Sequence, residues 1–289
     1  MVVWTICPRS GDRGYDAGNQ SLIWQTLVEF LCRLTFGVAL AMAVLPARWV
    51  TSGFFRVHLW VLLGVQTFAA LALWSLGKDE PALVQVMTWQ VSAAIVAAAV
   101  SYLGAVIWMY EASTAGKISL LIVAAAAFVA SLAPSLFSAS GTPGRMPVSL
   151  RAVEIFASGL VLGLVTTAML LGHWYLNTPT MRLDPLKRLL QLLVGAIALR
   201  MVLSMIGAFL MAKQLSQTSE GISTAWLLFV ALRWTAGLLL PLVLTYLTWQ
   251  TLKIPNTQSA TGILYAGVIL VFIGELCAQM LSARAHFPL

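Results

Sequence analysis

Eight stretches of this sequence are each long and apolar enough to cross a bilayer, and only short polar connections lie between them. A spanning helix needs about 20 mostly apolar residues. The qualifying runs are 22–45, 55–77, 84–110, 118–138, 152–176, 189–212, 224–250 and 262–283. Turn chemistry separates them: Pro46, Gly77 to Pro81, Glu111 to Lys117, Gly141 to Pro147, Asn177 to Pro185, Lys213 to Gly221 and Pro255 to Gly262. Lipid offers no partners to backbone polar groups, so such runs fold as helices. The sequence therefore predicts an all-α fold, a polytopic integral membrane bundle of eight transmembrane helices over 22–283. An extramembrane N-terminal tail (1–21) and a C-terminal tail (284–289) flank it.

Charge supports the same conclusion. Only 9% of the 289 residues are charged, against about 25% in soluble domains. A soluble surface cannot be built from so few. The formal net charge of +7 then belongs to loops facing anionic headgroups of the lipid bilayer, with no nucleic acid implied. Residues 1–21 lack the apolar core of a cleavable signal peptide, so the first span is expected to serve as the insertion signal. Cys7, Cys32 and Cys277 form no CxxC pair, and Cys32 and Cys277 read as small buried hydrophobes.

An even number of crossings returns the chain to the side on which it began. Side A then carries both termini and the basic residues Arg9, Arg13, Lys78, Arg145, Arg151, Lys213 and Arg284. Side B carries Arg48, Arg56, Lys117, Arg182, Lys187, Arg188 and Lys253, so the count ties at seven each. Side B concentrates Arg182, Lys187 and Arg188 in one short loop. That concentration favours side B as cytoplasmic, with both termini outside, in a bacterial-type inner membrane.

Ionisable residues inside spans are costly, and each is a functional-site hypothesis. The first span carries Glu29 and Arg33, four apart and so on one face. Arg200, Arg233 and Glu275 lie in the sixth, seventh and eighth. Depth places Glu29, Arg33, Arg233 and Glu275 in the half nearer side A, with Arg200 close to the middle. We expect Glu29, Arg33, Arg233 and Glu275 to pair, with Arg200 as a neighbour. Such a set serves either as glue between helices or as a proton or solute pathway.

Toward side B, His58 opens the second span and His173 closes the fifth, at similar depth. Trp60, Trp174 and Tyr175 lie beside them. Three readings stand. His, Trp and Tyr are at home in an interfacial belt with Trp49 and Trp249. A single imidazole suits a quinone carbonyl. Two imidazoles on separate helices suit a haem b iron. His286, in the C-terminal tail, is too remote for a ligand role.

Packing signals are present as well. Gly159 and Gly163 form a GxxxG pair, and Ala93, Ala94, Ala97, Ala98 and Ala124 to Ala127 make small-residue faces. Pro134 and Pro241 are candidate kinks. No Walker A, GxSxG, HExxH or Rossmann fingerprint occurs, so no catalytic residues and no metal site are assigned.

Two local stretches carry a resemblance. Leu59-Trp60-Val61-Leu62-Leu63-Gly64, followed by Leu76-Gly77, and Ile269-Leu270-Val271-Phe272-Ile273-Gly274-Glu275-Leu276 look like the eight-helix membrane-anchor subunits of the dimethyl sulfoxide reductase family. The resemblance implies a membrane anchor in a complex with other subunits, exchanging electrons with quinone and holding no haem itself. The family's histidine before Leu-Gly is Ser75 here, and its arginine after the triplet is Gln279. Quinone contact would then fall to His58 or His173. The expected function is a membrane-integral subunit of an electron-transfer, respiratory-type complex. The alternatives are a purely structural subunit, a b-type cytochrome subunit, and a small-solute or proton transporter.

Overall fold

A computed structural model describes residues 12–79, 84–136, 146–178, 181–215, 224–254 and 256–285. Cys7 and His286 lie outside them. Among the described residues all regular structure is helical: α1 Asp12–Val44, α2 Ser52–Asp79, α3 Val84–Met109, α4 Ser113–Leu136, α5 Val148–Asn177, α6 Asp184–Leu215, α7 Thr224–Trp234, α8 Leu240–Thr251 and α9 Thr257–Ala285. A π-helical turn, Thr235–Leu239, joins α7 to α8, so the two form one broken span. Eight spans result, each long and apolar enough to cross a membrane. The protein is an eight-helix integral membrane bundle. Several helices start before the apolar runs do: α5 begins at Val148 and α6 at Asp184. Hydropathy marks the hydrocarbon, whereas backbone hydrogen bonding continues into the headgroup region.

The spans form two four-helix rings with the same order of neighbours. In the first ring α1 packs on α2, α2 on α3, α3 on α4, and α4 back on α1. In the second, α5 packs on α6, α6 on α8, α8 on α9, and α9 back on α5. The rings meet chiefly where α1 lies along α5. Glycine makes that contact close. A Cβ on Gly37 would strike the Gly159 carbonyl and the Gly163 backbone, so no larger residue fits. The core runs through this junction, with Val161, Leu162, Ala168 and Leu171 of α5 fully buried.

The rings differ in one respect. In the first, α2 and α3 pack along their whole length, with Ala94 and Ala97 buried on the inner side of α3. In the second, α6 meets its partner span only sparsely, at the π turn and α8. The second ring is therefore open along α6.

Candidate functional site

The charged residues within the spans form one continuous network at the junction of the rings. Its outer end is a reciprocal pair of contacts between the parallel helices α1 and α5. Glu29 binds Arg33 of its own helix at 2.8 Å and also Arg151 of α5. Arg33 reaches Glu154 of α5 at 3.0 Å, and Arg151 reaches the same carboxylate at 2.6 Å. Spacing explains the fit. Glu29 and Arg33 are four apart, Arg151 and Glu154 three apart, so each pair shares one helix face.

Further in, Glu154 lies 3.6 Å from Arg200 of α6. Arg200 in turn holds Glu275 of α9, with Nε and Nη2 both 3.2 Å from its carboxylate oxygens. Arg233 of α7 comes within 2.9 Å of Glu275 Oε1, and the Ser158 hydroxyl donates to Oε2 at 2.7 Å. Arg33, Arg200, Glu154 and Glu275 are fully buried, whereas Glu29 and Arg151 keep about a fifth of their side-chain surface. The network thus runs inward from a half-open end and ties α1, α5, α6, α7 and α9 together.

All five charged residues predicted for this set are brought together here. They pair differently from the expected arrangement: Glu29 with Arg33 and Arg233 with Glu275 are the two ends, and neither end touches the other directly. Arg200 and Glu154 bridge them. Glu154 and Arg151 were not anticipated as members. Both fell at the edge of a span predicted to begin at 152, but α5 starts at Val148 and carries them into the protein. The signal was available: Arg151, Glu154 and Ser158, three and then four apart, form one polar stripe beside Gly159.

The arrangement bears on its chemistry. Glu154 faces Arg33, Arg151 and Arg200, and Glu275 faces Arg200 and Arg233. Ion pairs of this geometry hold the helices that carry them in register.

The side B aromatic set is more dispersed. His58 Nδ1 lies 2.6 Å from the Phe54 carbonyl one turn earlier, and the ring packs on Phe54 at 4.2 Å between centroids. Its other aromatic neighbour is Trp174, 6.3 Å away. His173, the adjacent residue, is exposed and faces α9, its Nδ1 3.4 Å from the Tyr265 hydroxyl. Neighbours on a helix diverge by about 100°. The two imidazoles therefore do not face a common gap, and the pair does not fit axial ligation of a haem. Among the described residues no group of three or more His, Cys, Asp or Glu could hold a metal ion.

The remaining aromatics have local partners. The Trp174 indole N–H donates to Thr51 at 2.9 Å. The buried Tyr175 hydroxyl donates to the Arg182 carbonyl, tying the connection to α5. Trp60 stands half-exposed against Tyr102 at 5.5 Å. Trp49 is flanked by Arg48 and Arg182, each 4.8 Å from its ring. These are features of an interfacial belt.

A cleft opens where the second ring is loose. It has a volume of about 460 Å³ and lies between α6 and α8, lined by Leu190, Gln191, Val194, Leu242, Thr245, Tyr246 and Trp249. Its residues belong to the first three turns of α6 and to α8, the later half of the seventh span, which places it in the side B half. Trp249 had been expected in the belt. The rest of the cleft was not legible from residue types, because helix-to-helix spacing determines it. Compared with known proteins, the chain matches no family model, no curated protein and no solved structure.

Proposed function

We propose that this protein is a membrane-integral subunit of an electron-transfer complex, and that it receives a quinone headgroup in the cleft between α6 and α8. The lateral cleft is the observation that carries the reading. A quinone is an apolar, lipid-dissolved molecule with a flat ring and two acceptor oxygens. It needs a lateral entrance from lipid, an apolar wall and a few donors. The cleft combines Leu190, Val194 and Leu242 as wall, the Trp249 ring for stacking, and donors on Gln191 and Tyr246. Tyr246 accepts from the Gln250 amide at 2.7 Å, which leaves its own O–H to donate. Thr245 donates to the Pro241 carbonyl and contributes mainly shape. The Arg–Glu network gives the rigid frame against which such a subunit would dock its partners.

Binding of decylubiquinone to the purified full chain in detergent tests this directly. Saturable binding is expected, lost in Val194→Trp, which fills the cleft, and kept in Val202→Trp, which adds the same ring to an exposed position on α6. Absence of saturable binding, or equal loss in both variants, would reject the cleft as the site. A visible spectrum of the same preparation separates the cytochrome alternative, since split b-type bands would establish haem.

A further inference from the structure

Side A of the same loose seam carries a second concentration of chemistry. Three buried polar side chains there have no hydrogen-bonding partner for some or all of their polar atoms: Ser204 of α6 at its hydroxyl, Arg233 of α7 at Nε and Nη2, and Gln279 of α9 at both amide atoms. Their exposures are 1%, 1% and 4%. Leaving such groups unmatched in a dry interior is costly, and native proteins rarely do so.

Register brings the three to one level. Gly237 touches Gly274 across the antiparallel pair of the seventh span and α9. Arg233 precedes Gly237 by four residues and Gln279 follows Gly274 by five, so both lie about one turn toward side A. Helices α6 and α9 run parallel, and Arg200 reaches Glu275. One turn onward on each are Ser204 and Gln279, again level. The cluster thus adjoins the Arg200–Glu275–Arg233 contacts, with which it shares the Arg233 guanidinium, and Ser204 and Gln279 extend it toward side A, where direct packing of α6 on α7 is sparse.

From this geometry we infer that Ser204, Arg233 and Gln279 form a binding site for the carboxylate of a small organic acid. Arg233 approaches Glu275 through Nη1, which leaves the Nε–Nη2 edge of its guanidinium open. That edge is the one that grips a carboxylate with two parallel N–H donors. The Ser204 hydroxyl and the Gln279 amide add neutral donors from the flanking helices. A neutral ligand would be a poorer match, because the guanidinium edge rewards charge. This site is separate from the quinone cleft and does not depend on it.

Thermal unfolding of the purified full chain, followed in sodium acetate and in sodium chloride at equal ionic strength, is the test. Acetate is expected to raise the midpoint by several degrees in a saturable manner, with chloride giving little. Gln279→Leu and Ser204→Ala leave the Arg233–Glu275 contact in place. Each is expected to raise the half-saturating acetate concentration at least tenfold while decylubiquinone binding stays unchanged. Equal effects of the two salts, or an acetate response that survives both substitutions, would overturn the proposal.

Discussion

Gly237 and Gly274 meet backbone to backbone where the π turn of the seventh span crosses α9. A Cβ on either would collide with the other's main chain, and one on Gly237 would also lie 2.8 Å from Arg233 Nη1. The contact is what allows Glu275, the next residue, to reach Arg233. The wider π turn has a local cause as well. Pro241 lacks an N–H and crowds the carbonyl four residues before it, which belongs to Gly237. The Leu240 N–H bonds instead to the Thr235 carbonyl, five residues back.

Gly274→Ala therefore should push α9 off the π turn and weaken the charge network. A lowering of the unfolding midpoint by several degrees is expected in detergent. Gly64 and Gly195 provide the contrast, since a Cβ there meets nothing within 4 Å. Alanine at either should be neutral or slightly stabilising, because it is the better helix former by about 1 kcal/mol. Similar losses at all three positions would show that the close approach is not what matters.

Glu154 is the residue on which three guanidiniums converge, and its removal should be the most damaging single change in the network. Breaking a buried ion pair by deleting one partner costs about 3–5 kcal/mol, because the remaining charge is left uncompensated. Glu154→Gln should approach that range. Glu29→Gln should cost less, since Glu29 is only partly buried and meets two guanidiniums where Glu154 meets three. Denaturation of the two variants side by side gives the order, and the reverse order would remove Glu154 from the centre of the network.

Much of this architecture was written in the sequence, and the reasons are physical. Eight runs of spanning length, cut by Pro, Gly and Asn, leave helices as the only way to satisfy the backbone in lipid. The GxxxG pair on α5 was legible too, although its partner, Gly37, was not. Sequence gives the depth of a side chain along a helix more readily than the direction it faces. His58 and His173 share a depth, yet one meets Trp174 and the other Tyr265. Glu154 shows the opposite: its direction is readable from the stripe with Arg151 and Ser158, but its depth is not, because α5 begins about one turn before the apolar run. The cleft depends on how far apart α6 and α8 stand, which no single helix encodes.

His173→Ala and Tyr246→Phe separate the two places where quinone contact can be imagined. His173 stands exposed beside Tyr265 and is not among the residues lining the cleft. Its loss should leave decylubiquinone affinity within about twofold, the change equivalent to less than 0.5 kcal/mol. Tyr246→Phe deletes a donor while keeping the ring. A neutral hydrogen bond contributes about 1 kcal/mol, so affinity should fall about fivefold. A large effect at His173 with none at Tyr246 would move the site back to the imidazole.

Ion pairing within the bundle alters the count of positive charges that sets orientation. Arg151 was one of seven basic residues assigned to side A, but it is engaged by Glu29 and Glu154 within α5. A guanidinium neutralised inside the bundle should not act as a loop charge during insertion, so side A falls to six against seven. On side B, Arg48 and Arg182 both stay at the loop end, each 4.8 Å from the Trp49 ring. Alkaline phosphatase fused to the C-terminus should be active and green fluorescent protein at the same place dark, as expected for an end outside the cytoplasm. Fusions at Lys253 should give the opposite pattern. A fluorescent C-terminal fusion would reverse the assignment of both faces while leaving the eight spans intact.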